Sequence, residues 1–169
     1  MARCIALSAR RSTCSALGTD PSTTQTPTLA CICSSCPPSR TAFSVGAVVV
    51  AADGVEVARG FSREQGEHDH AEEVALRKAD RAGIPVLVAT MYSSLEPCGA
   101  RRSAPLPCAQ LILRHGIRRV VFALAEPDVF VSPFGATALR SSGVTVVVVD
   151  ALAADVREIN AHLLGGTGP

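Results

Sequence analysis

SVGAVVVAADGVEVARGF, residues 44–61, holds two β-branched apolar runs on either side of Asp53-Gly54. An Asp-Gly pair suits the positive-φ positions of a tight turn, and VEVARGF alternates in character, so the stretch predicts a β-hairpin. Downstream the period changes. Residues 70–81, HAEEVALRKADR, carry Ala71, Val74, Ala75 and Leu76 at helical spacing, and Gly83 and Pro85 close the element as a helix.

Beyond Pro85 the two patterns alternate. VLVATMYSSL (86–95) reads as a strand, PCAQLILRHG (107–116) as a helix ending at Gly116, and IRRVVFAL (117–124) as a strand. FGATALRSSG (134–143) reads as a short helix, VTVVVVD (144–150) as a strand, and LAADVREINAHLL (152–164) as a closing helix. A hairpin followed by alternating helices and strands implies an α/β fold: a three-layer α/β/α sandwich on a mixed, mostly parallel five-stranded sheet. In such sheets ligands sit at the carboxyl ends of strands and the helix starts that follow them.

Upstream of the hairpin the chain loses this order. Residues 2–10 are helix formers, but residues 11–36 are rich in Ser, Thr, Pro and Cys with Asp20 their only acid, and show neither period. This stretch is expected to be a low-complexity insertion or loop, dispensable for a single-domain core spanning 41–164. A competing expectation is an organelle transit peptide, because the start of the chain bears Arg and Ser and few acids.

Sixteen Lys and Arg against fifteen Asp and Glu leave a net charge of +1, so no basic field is present to hold nucleic acid. One Tyr, five Phe and no Trp offer few rings for stacking unpaired bases, which favours a small-molecule ligand. No run approaches the length of a membrane span and no secretory signal is visible, so a cytoplasmic protein is expected. Seven cysteines, an odd number, then suggest metal ligation before a disulfide framework.

The candidate ligands are His70 at a helix start, Cys98 just after a strand, and Cys108 at the next helix start. Zinc favours imidazole and thiolate, and a catalytic zinc keeps three protein ligands with its fourth position open. Glu72, two residues after His70, is placed to carry protons. H-x-E joined to P-C…C is the pattern of zinc deaminases, except that nine residues, Gly99–Pro107, separate the two cysteines here instead of two.

SLEPCGARRSAPLPCAQLIL, with HAE upstream and GIRRVVFALAEP downstream, resembles the pyrimidine deaminase domain of riboflavin biosynthesis, from about Val45 to about Val149. That resemblance implies a cytidine-deaminase-like fold, one Zn2+ on His70, Cys98 and Cys108, and Glu72 as catalytic acid and base. It also implies a phosphorylated diaminopyrimidine substrate, and it is compatible with a homodimer. No reductase domain is visible in the 169 residues. The chain departs from the family's pattern where Thr41-Ala42-Phe43 replaces Pro-Asn-Pro, where Ser62 replaces a His, and where Ala100-Arg101-Arg102-Ser103 replaces a His-rich run. Arg101, Arg102, Ser62 and Ala71 are accordingly the candidate substrate contacts, with the two arginines read either as phosphate binders or as solvated charges.

Simpler readings stand beside these. A structural zinc would call for four protein ligands. His68 could replace His70 as a ligand, but it lacks the spacing to Glu72. Glu73 is expected to be a helix-surface charge turned away from the metal. Cys31, Cys33 and Cys36, with Cys14, could form a second metal or redox cluster, and free thiols are the plainer expectation. A cytosine, cytidine or guanine-type deaminase and a zinc-stabilised binding module are the alternative functions.

Overall fold

The computed structural model describes residues 29, 32–125 and 134–164. Five strands, β1 (Gly46–Val50), β2 (Glu56–Phe61), β3 (Thr90–Leu95), β4 (Arg119–Leu124) and β5 (Thr145–Val148), form one sheet in the order β2-β1-β3-β4-β5. β1 runs antiparallel to both neighbours, whereas β3, β4 and β5 pair in parallel, so only β1 runs against the common strand direction. The helices that accompany the strands include α1 (Ala71–Arg81), α2 (Cys108–Arg114), α3 (Gly135–Ser141) and α4 (Ala153–Ile159).

The alternation expected of strands covered on both faces decides which layer each residue joins. Ala47, Val49, Met91, Leu95, Val120 and Phe122 pack with Ala75, Leu76, Ile112 and Leu139 of the first three helices. Their neighbours Val48, Val50, Tyr92, Val121 and Ala123 face the other way, onto Val156 of α4, Leu152 just before it, and Leu29 and Ile32. The sandwich therefore has three layers.

Two expectations need correction. Leu29, Ile32 and Cys33 are almost wholly buried, so the end of the 11–36 stretch is part of the second core and the folded unit reaches back beyond residue 41. Three well-placed apolar side chains achieve this without any period in the surrounding sequence. Residues 11–28, 30 and 31 of that stretch, with Cys14 and Cys31, and the N-terminal helix formers lie outside the described residues. The third strand also starts later than predicted. Val86 and Ala89 close a turn, Val88 has φ +60°, and Leu87 and Val88 are exposed, so the apolar run 86–88 leads into β3 without joining the sheet.

Among the described residues no helix is long and apolar enough to cross a membrane.

Candidate metal centre

Three chain junctions converge at one end of the sheet. His70 is the residue before α1, Cys98 follows β3 at the end of the Glu96-Pro97-Cys98 segment, and Cys108 opens α2. The His70 Nδ1 atom lies 3.6 Å from the Cys98 sulfur and 3.5 Å from the Cys108 sulfur, and the three donor atoms all fall within 4.8 Å of one another. Zinc–nitrogen bonds of about 2.0–2.1 Å and zinc–sulfur bonds of about 2.3 Å at the tetrahedral angle require N···S edges of about 3.5–3.6 Å. The donors thus fit zinc in type and in spacing. Among the described residues no other group of His, Cys, Asp or Glu is placed to hold a metal, so Cys33 and Cys36 are not part of a second cluster there.

The protons on the sulfurs agree with that fit. The Cys108 thiol bonded to it, opposed by burial and assisted by His70, pushes Cys98 down to about 4. Cys108 is in turn pushed well up by its bond to Cys98 and by burial. Such a pair takes one negative charge easily and a second only opposite a cation, which is the demand a divalent metal meets. The backbone supports the arrangement: the Cys108 N–H donates to the Cys98 sulfur at 3.3 Å and the Ala109 N–H to the Cys98 carbonyl at 3.1 Å.

Glu72 is buried in the first turn of α1, where a carboxylate gains from the helix dipole. Burial raises its proton affinity above the ordinary carboxyl range, against His70 and a hydrogen bond from Ser93 that lower it. That bond, from Ser93 Oγ to Glu72 Oε1 at 2.7 Å, fixes the carboxylate from the sheet below. Ser93 was missed by sequence reasoning. The signal was available: two adjacent serines, Ser93 and Ser94, sit fully buried in a central strand between Met91 and Leu95.

A cavity of about 790 Å³ opens over these residues. One wall is the cysteine loop with Arg101, Arg102 and Ser103, and a second is formed by Thr41, Ala42, Phe43, Ser62 and Arg63. Every predicted substrate contact lines it, in different ways. Ala71 is fully buried at the helix start, Ser62 is buried with its Oγ accepting the Val45 N–H at 3.1 Å, and Arg102 is exposed. Arg101 is a surprise, since its side chain is only 5% exposed and donates from Nη2 to Glu73 at 2.7 Å. Glu73 is therefore not an idle surface charge. His68 stays exposed on the cavity rim, outside the ligand set.

Two clamps hold the second wall, and neither has a motif. Arg63, in the left-handed region at φ +62°, donates to the Phe43 carbonyl at 2.8 Å and to the Pro37 carbonyl at 2.7 Å. Buried Asn160 accepts the Ser44 N–H at 2.7 Å and donates to the Ser44 carbonyl at 3.1 Å. A third contact joins α3 to the ligand loop: Glu96 Oε1 accepts the Ala136 N–H at 2.8 Å, and the Gly135 backbone lies against the Pro97 carbonyl.

Residues 22–124 match the family model described as the cytidine and deoxycytidylate deaminase zinc-binding region. The chain is 39% identical over 114 residues to a diaminohydroxyphosphoribosylamino-pyrimidine deaminase of Schizosaccharomyces pombe, covering 66% of this chain and 28% of that protein. It is likewise 39% identical over 117 residues to the riboflavin biosynthesis protein RibD of Aquifex aeolicus, covering 69% and 31%. It thus spans about three tenths of the length of these curated relatives. Among solved structures, the Rib2 deaminase of Aspergillus oryzae superposes with a TM-score of 0.73 at 28% identity, over 83% of this chain and 90% of that one. The same Aspergillus deaminase has been solved in complex with DARIPP.

Proposed function

The chain belongs to the cytidine and deoxycytidylate deaminase zinc-binding family, and on that footing we propose that it hydrolytically deaminates the phosphorylated diaminopyrimidine intermediate of riboflavin biosynthesis. The observation that carries this is a buried carboxylate, Glu72, two residues from His70 and facing the same cavity as the ligand cluster. A purely structural zinc site has no use for a buried acid at that position. The relatives named above supply the substrate class.

His70, Cys98 and Cys108 hold zinc, which when bound supplies the Lewis acid that makes a water nucleophilic near neutral pH. Glu72 takes a proton from the attacking water and returns it to the exocyclic nitrogen. One C–O bond forms, one C–N bond breaks, ammonia leaves and the ring carbon becomes a carbonyl. Ser93 keeps the Glu72 carboxylate in one orientation through both transfers. Ala71, at the start of the same helix, is small enough to leave the ring room beside it.

The test is an ammonia-release screen across pyrimidine, purine and pterin substrates with protein of measured zinc content. The ribosylaminopyrimidine phosphate is expected to be turned over in preference to cytidine, cytosine and guanine. Preference for one of those three would overturn the substrate. No turnover of any compound by fully zinc-loaded protein would leave a binding module instead.

A further inference from the structure

The proposed reaction gives no role to the loop between β2 and α1, residues 62–69, although this loop stands between the metal centre and the second wall. Its first residues hold that wall: Ser62 Oγ accepts the Val45 N–H, and Arg63 donates to the Phe43 and Pro37 carbonyls and to Ser44 Oγ. Its last residue, Asp69, precedes His70 and lines the cavity. Gln65, Gly66, Glu67 and His68 are exposed, but the Asp69 side chain turns inward and is only 11% exposed. All three of its oxygens are engaged. Oδ1 accepts from Arg77 Nη2 of α1 at 2.7 Å, Oδ2 accepts the Gln65 N–H at 2.9 Å, and the carbonyl accepts the Arg63 N–H at 3.0 Å. Arg63 needs such support: at φ +62° it occupies a region costly for any side chain, which a residue keeps where its surroundings over-determine it.

We propose that Asp69 is a positioning residue for the substrate cavity: braced on Arg77, it closes the 62–69 loop into one conformation and so holds Arg63, and through it residues 41–44, in register with the helix that carries Glu72. Both bonds to its carboxylate are charge-assisted, the stronger kind of hydrogen bond. α1 meets the loop at two further points, Lys78 on Glu64 and Arg81 Nη1 on Gln65 Oε1 at 3.4 Å. Those bonds reach loop side chains, whereas Asp69 also fixes the backbone at Gln65 and Arg63. The Asp69 carboxylate moves no proton, and the substrate feels it only through the shape of the wall. The consequence for KM rests on the proposed deamination; the consequence for the wall does not.

The experiment follows, by NMR, amide hydrogen exchange at Ser44 and Val45, whose N–H groups bond to the Asn160 and Ser62 side chains. It also measures KM and kcat with the substrate found by ammonia release. Both readouts are taken on the zinc-loaded parent, Asp69→Ala, Asp69→Asn, Arg63→Ala and the double variant Asp69→Ala/Arg63→Ala. Asp69→Ala is expected to strip exchange protection from Ser44 and Val45, at the far end of the linkage, and to raise KM on the order of tenfold. The double variant should raise KM by about the same factor as either single change, where independent sites would multiply to roughly a hundredfold. Asp69→Asn keeps one side-chain acceptor of the two and should lie between parent and Asp69→Ala. If Asp69→Ala does not fold, Asp69→Asn and Arg77→Ala carry the same readouts. Unchanged exchange at Ser44 and Val45, or KM effects that multiply in the double variant, overturn the proposal. So does zinc loss with the wall still protected, which would assign Asp69 to His70 alone. Exchange needs no substrate, so a failed wall linkage and a failed substrate assignment are told apart.

Discussion

The two walls of the cavity are built in opposite ways. The ligand wall is local: His70 and Glu72 lie two residues apart, Cys98 and Cys108 flank one loop, and two helix starts and the end of β3 aim them. The wall of Thr41, Ala42, Phe43, Ser62 and Arg63 is held from a distance: Ile32 anchors the chain ahead of it in the second core, Arg63 clamps it from beyond β2, and Asn160 holds Ser44 from more than a hundred residues along the chain. Chemistry that depends on a fixed spacing is concentrated on the first wall. The shape that decides what enters the cavity depends on the second, where no spacing rule applies.

That contrast is best broken at Glu72. Glu72→Gln keeps the shape and removes the proton carrier, so turnover of the substrate identified by ammonia release should fall by roughly 10²–10⁴ with zinc content unchanged. Parental turnover in that variant would show that the local wall binds without doing the chemistry. On the distant wall the larger effect is on folding. Ile32→Ala empties a nearly closed site in the second core and is expected to lose about 2–5 kcal/mol of stability by denaturant unfolding, with zinc still bound in the folded protein. A loss below about 0.5 kcal/mol, the range of ordinary surface changes, would mean that this segment rests on the core without belonging to it. Arg63→Ala should have the smallest effect, raising KM on the order of tenfold, the factor corresponding to about 1.4 kcal/mol, and leaving kcat and zinc content near parental values. An equal fall in kcat would show that the two walls are not separable.

The same contrast explains what could be read from the sequence. The hairpin, the alternation of helix and strand, and the convergence of His70, Cys98 and Cys108 followed from period, turn residues and ligand spacing, all short-range properties. Leu29, Ile32 and Cys33 did not, because three buried side chains in a Ser- and Thr-rich stretch leave no periodic trace. The run 86–88 misled in the opposite sense, being strand-like in composition but turned out of the sheet at Val88. Glu73 was read from helix geometry as a surface charge, and the rotation of a helix says nothing about a guanidinium arriving from a loop 28 residues away.

Gly135 opens a helix that supplies no ligand and is far in sequence from all three. An ideal Cβ there would stand 1.7 Å from the Pro97 carbonyl oxygen, the residue immediately before Cys98. Position 135 is thus a spacer gauge for the metal loop: any side chain would act as a shim, displacing Pro97 and Cys98 from their place beside His70. The tolerance of the metal centre is set in part at a site that a survey of its ligands would never sample, and random mutagenesis should score Gly135 among the zinc-loss positions although it touches no donor atom.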